Sequence, residues 1–235
     1  MSQSFEDVDL QGAVFWGVNL RDATFRDVDL SGATTHHVLL KNVELDGLID
    51  RLVVNGVDVT DFVNANDPWQ PLRGMLEPTT ADGVRAAWAE VEAVWDATIE
   101  TAAERTEEDL NRSVNGEWSF VETLRHVVFA VDKWFTGPIM GGEWQPLGIP
   151  NTGSVDFAWP TIDPNASPTL GEVLAARQAQ AANIRSSLGA LTDDDLVRSV
   201  EVLENGTVAV LQCWHVVFEE SFEHRRYALR DLAQL

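Results

Sequence analysis

Five histidines and a single cysteine bound the metal and nucleophile chemistry open to this 235-residue chain. His36 and His37 lie near the N-terminus, His126 lies mid-chain, and His215 and His224 fall in a C-terminal stretch. No Cys/His cluster has the spacing of a structural zinc site, and no GxSxG elbow, P-loop or strand-preceded GxGxxG is present. What remains is a metal ion held between helices. The C-terminal stretch offers two Glu/His pairs, His215 with Glu219 and Glu220 with His224. Residues four apart share a helix face, so either pair can grip one ion. Cys213, Val217, Glu220, His224 and Tyr227 follow helical spacing along one partly apolar face, where a buried carboxylate and imidazole need a partner. His215 and Glu219 lie on another face, beside Phe218 and Phe222. Such pairs are most often solvated helix-face residues. A lone cysteine in an apolar helix, as Cys213 is, is most often inert packing rather than a nucleophile.

The elements that must position these residues are legible as four amphipathic helices. The first runs from about Thr80 to about Ala103, with Val84, Ala87, Trp88, Val91, Val94, Trp95 and Ile99 as a 3.6-period stripe. The second opens at Ser119 with Glu122 three residues on, a capping-box signature, and ends at Gly137-Pro138. A third runs from near Thr169, with Glu172 completing another box, to about Leu188. The fourth spans about Thr207 to Leu232 after a turn at Asn205-Gly206. Residues 138–168 are rich in Gly and Pro, hold Trp144 and Trp159, and form a long loop, a crossover or a lid over one end. Four such helices with one long crossover predict a four-helix bundle. Residues 64–79, with Pro68, Pro71, Gly74 and Pro78, read as a linker.

The N-terminal part has a different period. Every fifth residue from Phe5 (Phe5, Leu10, Phe15, Leu20, Phe25, Leu30, Thr35, Leu40, Leu45) is Phe or Leu except Thr35. Two residues earlier, Val8, Ala13, Val18, Ala23, Val28, Ala33, Val38 and Val43 are all small. Neither a helix nor a flat strand repeats every five residues. The pattern resembles the pentapeptide-repeat family, whose chains wind into a right-handed quadrilateral β-helix with the Phe/Leu and the small residue pointing inward. Residues 5–45 would give about two coils, with a distorted corner at Thr35, His36 and His37. The Asn55-Gly56 turn between short apolar runs predicts a hairpin that caps the coil end. The repeat is expected to be structural, a plug, a docking face or a dimer surface.

The segments GEWSFVETLRHVVFAVDKW (116–134) and FEESFEHRRYALRDL (218–232) resemble the second and fourth helices of DinB-like proteins over roughly residues 80–235. The branch similar to mycothiol-dependent maleylpyruvate isomerase carries Glu and His four apart in the fourth helix, as Glu220 and His224 stand here. The resemblance implies a metal triad of His126, Glu220 and His224. Glu122 then stays the capping partner of Ser119. Two imidazoles and a carboxylate suit zinc, then nickel or iron(II), and three protein ligands leave a position open. The resemblance further implies an S-transferase or isomerase that uses a low-molecular-weight thiol such as mycothiol or bacillithiol, with a metal-bound thiolate as nucleophile acting on an electrophile. Arg125 and Tyr227, with the loop tryptophans, are the candidate substrate contacts. A metal-dependent hydrolase and a non-catalytic metal-binding or partner-docking protein are the alternatives.

Composition narrows the partners. The formal net charge is -22, and it is spread in proportion to length, with 10 acidic and 4 basic residues in the first sixty. That excludes a phosphate-binding face for nucleic acid and an anionic membrane surface, and leaves nothing to mark the repeat as a duplex mimic. One cysteine allows no intrachain disulfide, the first residues lack the basic and apolar regions of a signal peptide, and no apolar run is long enough to span a membrane. A cytoplasmic protein is expected, and a homodimer is compatible with the acidic surface. The fold class expected is α+β in two parts, with a β-helix and cap over residues 1–63, a linker over 64–79 and a DinB-like bundle over 80–235.

Overall fold

A computed structural model describes the chain except residues 1–3, 6, 7, 26, 27, 115, 158–160 and 164. Trp159 therefore lies outside the described residues. The chain divides into two compact units, Met1–Asp46 and Gly47–Leu235.

The second unit is mostly helical. It opens with a two-stranded antiparallel hairpin, β1 (Val53–Val54) and β2 (Val57–Asp58). Asn55 and Gly56 both have positive φ, 51° and 81°, as a primed hairpin turn requires. A short helix α1 (Thr60–Asn66) follows. The stretch 64–79, expected as a linker, holds a 3-10 turn (Leu72–Met75), and Leu72 and the following Leu76 are buried in the helical core.

Four long helices form the body: α2 (Ala81–Ala102), α4 (Phe120–Val131), α5 (Leu170–Leu188) and α7 (Val210–Leu232). Two single turns, α3 (Glu107–Leu110) and α6 (Asp193–Leu196), sit in the connections. The long helices close a ring, because α7 packs on α2 and α4, and α5 on α4 and α2. Both predicted capping boxes hold, and the first helix, expected from about Thr80, is capped by that residue. Thr80 accepts from the Gly83 amide, and Ser119 with Glu122 and Thr169 with Glu172 form reciprocal capping boxes. The expected stripe of α2 turns inward, with Val84, Ala87, Trp88, Val91 and Trp95 buried, and the Trp95 indole N–H donates to the Ser221 carbonyl on α7 at 3.0 Å.

One boundary differs from expectation, and one helix changes type before its expected end at Gly137. The fourth helix begins at Val210 rather than near Thr207, because Gly206–Ala209 is a strand, β4, paired antiparallel with β3 (Ser199–Val202). Alternating Thr207, Val208 and Ala209 satisfy their backbone across this ladder before the helix starts. Beyond Val131, α4 continues as a π-helical turn (Asp132–Thr136), with the Gly137 amide donating to the Asp132 carbonyl five residues back. A buried Gln180 amide from α5 supports this widened turn, donating to the Val128 carbonyl and to Asp132 Oδ1.

The long loop after α4 lies along that helix. Gln145 N donates to Asp132 Oδ2 at 2.6 Å, Ile149 N to the Arg125 carbonyl, and Trp144 meets Phe129 edge-on. Close approach explains two glycines. A Cβ on Gly137 would stand 2.7 Å from Trp144 Nε1, and one on Gly148 only 3.2 Å from Phe129 Cβ.

The first unit does not show the expected β-helix. Among the described residues of 4–46 there is no strand, and every one is exposed. Its backbone nevertheless recurs every ten residues, with positive φ at Gly12, Asp22, Gly32 and Asn42 and with Ala13, Ala23 and Ala33 donating to Leu10, Leu20 and Leu30. Asp9, Asn19 and Asp29 bridge each turn to the amide two residues on. The apolar ladder is half covered: the Phe and Leu positions are 46–65% exposed, against 77–92% for Val14, Trp16 and Leu39 off the ladder. Two coils have too few neighbours to bury an inward row. The corner at 35–37 is not distorted either. His37 takes the same left-handed backbone as Gly17, and residues 31–40 repeat the turn pattern of 11–20.

Among the described residues, no helix is long and apolar enough to cross a membrane.

Candidate metal centre

Helices α4 and α7 bring His126, Glu220 and His224 together, with one potential ligand atom of each within 4.8 Å of the others. Glu220 Oε2 lies 3.5 Å from His126 Nε2 and 3.2 Å from His224 Nδ1. His126 is buried, and the other two are half-buried. The helix face read from the sequence therefore runs from the core to a mouth. Cys213 and Val217 are fully buried at one end, Glu220 and His224 come next, and Tyr227 is exposed at the other.

Both imidazoles are oriented from behind. His126 Nδ1 is 2.8 Å from the Ile149 carbonyl of the long loop, and His224 Nδ1 is 2.9 Å from the Glu220 carbonyl. A carbonyl accepts, so His126 Nδ1 is assigned the proton and its Nε2, on the Glu220 side, is left as a lone-pair donor, whereas His224 Nδ1 lies against both the backbone carbonyl and the carboxylate of Glu220. A backbone carbonyl behind a ligating imidazole is the usual outer support of metal-binding histidine. The donor set fits a divalent transition metal, with two imidazoles and one carboxylate converging and, among the described residues, no fourth His, Cys, Asp or Glu in the group.

Electrostatics point the same way. Burial, helped by the neighbouring His126, pushes the His224 pKa below its usual range, so the ring is neutral near pH 7. Burial alone would raise Glu220. The adjacent imidazoles of His126 and His224 and the Lys133 ammonium outweigh it, and the carboxyl is held below its usual range. Burial pushes the Cys213 thiol up to about 12, and its side chain is fully buried, so it offers no thiolate at neutral pH.

The other predicted residues separate. His215 turns away to the Pro78 carbonyl at 2.8 Å, and Glu219 is exposed, so that pair forms no site. Arg125 is buried and donates through Nε to the Leu147 carbonyl, which ties down the loop. Tyr227 stands edge-on to His224 at 5.7 Å, with the Arg230 guanidinium over its ring. Trp144 packs behind the site on Phe129.

Several residues around the triad were not singled out from sequence. Trp118 stacks beside both imidazoles, with ring centroids 4.7 Å from His126 and 6.3 Å from His224. A cleft of about 210 Å³ is lined by His126 and Glu220 and by Lys133, Asn151, Glu204 and Asn205. Lys133 had a signal: His126, Phe129, Ala130 and Lys133 follow i, i+3, i+4, i+7, and all line the cleft. Glu204 and Asn151 had none, since they come from a hairpin tip and a loop remote in sequence.

Comparison with known proteins agrees with this geometry. The DinB superfamily model matches residues 58–228, and the model for pentapeptide repeats (8 copies) matches residues 4–34. Neither a curated protein nor a solved structure gives a significant match. With a helical body and a converging His/Glu/His group inside a match that covers most of its length, the chain belongs to the DinB superfamily.

Proposed function

We propose that the bundle is a metal-dependent enzyme acting on a low-molecular-weight thiol and an electrophile, as an S-transferase or isomerase. The observation that carries this reading is the convergence of three oriented donors beside an open cleft. A divalent ion there, zinc first and nickel or iron next, supplies the positive charge that lets a thiol ionise at neutral pH. The chain's own residues do the rest. Glu220 offsets one charge of the ion, the Ile149 carbonyl holds the His126 ring in its tautomer, and Trp118 shields the imidazoles from water. A cleft of about 210 Å³ is smaller than the pocket of a typical drug-sized ligand, so it takes the reactive end of a bulky thiol such as mycothiol or bacillithiol with a small electrophile.

For the N-terminal unit we propose a right-handed quadrilateral β-helix with a docking or dimer role. The five-residue period, the family match over 4–34 and the half-covered ladder support it.

The first test is metal content by elemental analysis, on untagged wild type and His224→Ala. One transition metal per chain, lost in the variant, supports the centre and justifies a screen of thiols with electrophiles. No metal after supply of zinc or nickel overturns the enzyme reading and leaves a partner-binding protein. Metal without thiol binding favours a non-catalytic metal protein or a hydrolase.

A further inference from the structure

Beside the triad, the same cleft holds a second polar group that the metal reading does not use. Lys133 Nζ lies 2.6 Å from Glu204 Oε1 and 3.0 Å from Ser154 Oγ, and Ser154 Oγ donates to the same Glu204 oxygen at 2.6 Å. Lys133 is 4% exposed and Ser154 5% exposed. Three remote segments converge to build this group: the π-turn after α4, the long loop, and the tip of the β3–β4 hairpin. Burying an ammonium is costly, and a surface ion pair would have served stability as well. π-helical turns recur at functional sites, and this one carries Lys133.

The inventory of bonds shows what the group has left to offer. The Ser154 hydroxyl accepts from Lys133 and donates to Glu204, so it is used. An ammonium has three N–H bonds, and among the described residues two go to Glu204 and Ser154. The third is left for a group in the cleft. Glu204 and Glu220 both line that cleft, so with a divalent ion bound the ammonium and the ion outweigh the two carboxylates by one charge, which a monoanion neutralises and a dianion such as phosphate overshoots.

Resting on the metal-centre reading, we infer that Lys133, oriented by Ser154 and Glu204, is a substrate-anchoring residue that binds a single carboxylate on a small molecule whose other end reaches the His126/Glu220/His224 site. The carboxylate accepts the third Lys133 N–H, and Asn151 and Asn205 flank it as further amide donors. The subsite sets specificity by charge and by length, since one end of the ligand is at the metal and the other at Lys133.

The test uses the full chain loaded with cobalt(II), whose visible absorption reports a thiol joining the metal. Mercaptoacetate, 3-mercaptopropionate and 4-mercaptobutyrate are titrated against 2-mercaptoethanol, which lacks the carboxylate. Wild type is expected to bind the best-fitting acid about tenfold or more tighter than mercaptoethanol, as one charge-assisted hydrogen bond allows. Lys133→Met should bring that ratio down several-fold, the division by mercaptoethanol affinity correcting for the general effect of the lost charge at the metal, and the change in ratio between variant and wild type correcting for chelation of the metal by the acid itself. Glu204→Gln should raise the ratio, because it frees the ammonium from its counter-charge, and a folding defect would not tighten binding. No cobalt uptake overturns the metal reading and this subsite together. Cobalt uptake with a ratio that neither variant moves overturns the subsite alone.

Discussion

The N-terminal repeat and the helical bundle show two ways a periodic sequence meets solvent. In residues 4–46 the period governs the backbone, with left-handed corners and Asx-type bonds returning every ten residues, yet the ladder side chains stay 46–65% exposed. In the bundle the period governs burial. The stripes of α2, α4 and α7 close on one core in which Trp95, Trp214, Phe120 and Phe218 are almost wholly buried. Local hydrogen bonds are sufficient to set a turn, but burial needs a second surface, and about two coils do not supply one. Chemistry follows burial: the titratable groups with converging geometry lie in the bundle, where desolvation and fixed carbonyls control their protonation.

The contrast can be broken most directly in the core. Trp95→Ala should cost about 3–5 kcal/mol of bundle stability, since it leaves a large cavity and removes the indole hydrogen bond to the Ser221 carbonyl, read by denaturant unfolding. A loss below 1 kcal/mol would mean the helices are not packed as described. Next in size, His224→Ala should lower metal affinity by at least about a hundredfold while leaving the repeat untouched, read by metal titration.

Acid should act on the same centre. The His224 and Glu220 pKa values are both held below their unfolded values, so the unfolded chain binds more protons as pH falls. Their contribution to stability is therefore complete above about pH 6.5 and is lost below it, Glu220 following at lower pH. Metal retained after dialysis should be full at neutral pH and fall on acidification, whereas a retention curve that is flat into the acid range would contradict the donor set.

Smaller still, Ser119→Ala removes one half of a capping box and should cost about 1 kcal/mol, a drop of a few degrees in the bundle's melting temperature. At the low end, Phe15→Ala in the repeat should change stability by no more than about 0.5 kcal/mol, because its side chain is 62% exposed. A larger loss would show that the ladder is covered in solution, and would favour the closed β-helix.

Much of this molecule was readable from residue types and spacing. Ser119 and Thr169 announced helix starts because capping is local chemistry between residues three apart. Glu220 and His224 were placed on one face for the same reason, and their family likeness to a second helix brought in His126. The family likeness chose Glu220 with His224 over His215 with Glu219, and packing supplied the reason, with His215 spent on the Pro78 carbonyl. The π-turn, the β3–β4 hairpin and the Lys133–Ser154–Glu204 group were likewise hidden, because each depends on partners tens of residues away. Sequence by itself determined the helices, two of their capping boxes, the five-residue repeat and the helix face that carries Glu220 and His224, all products of contacts within one or two turns of chain. Tertiary structure alone decided which side chains are desolvated, which carbonyl fixes each imidazole and what shares the cleft, because burial and long-range hydrogen bonds arise only when distant segments meet.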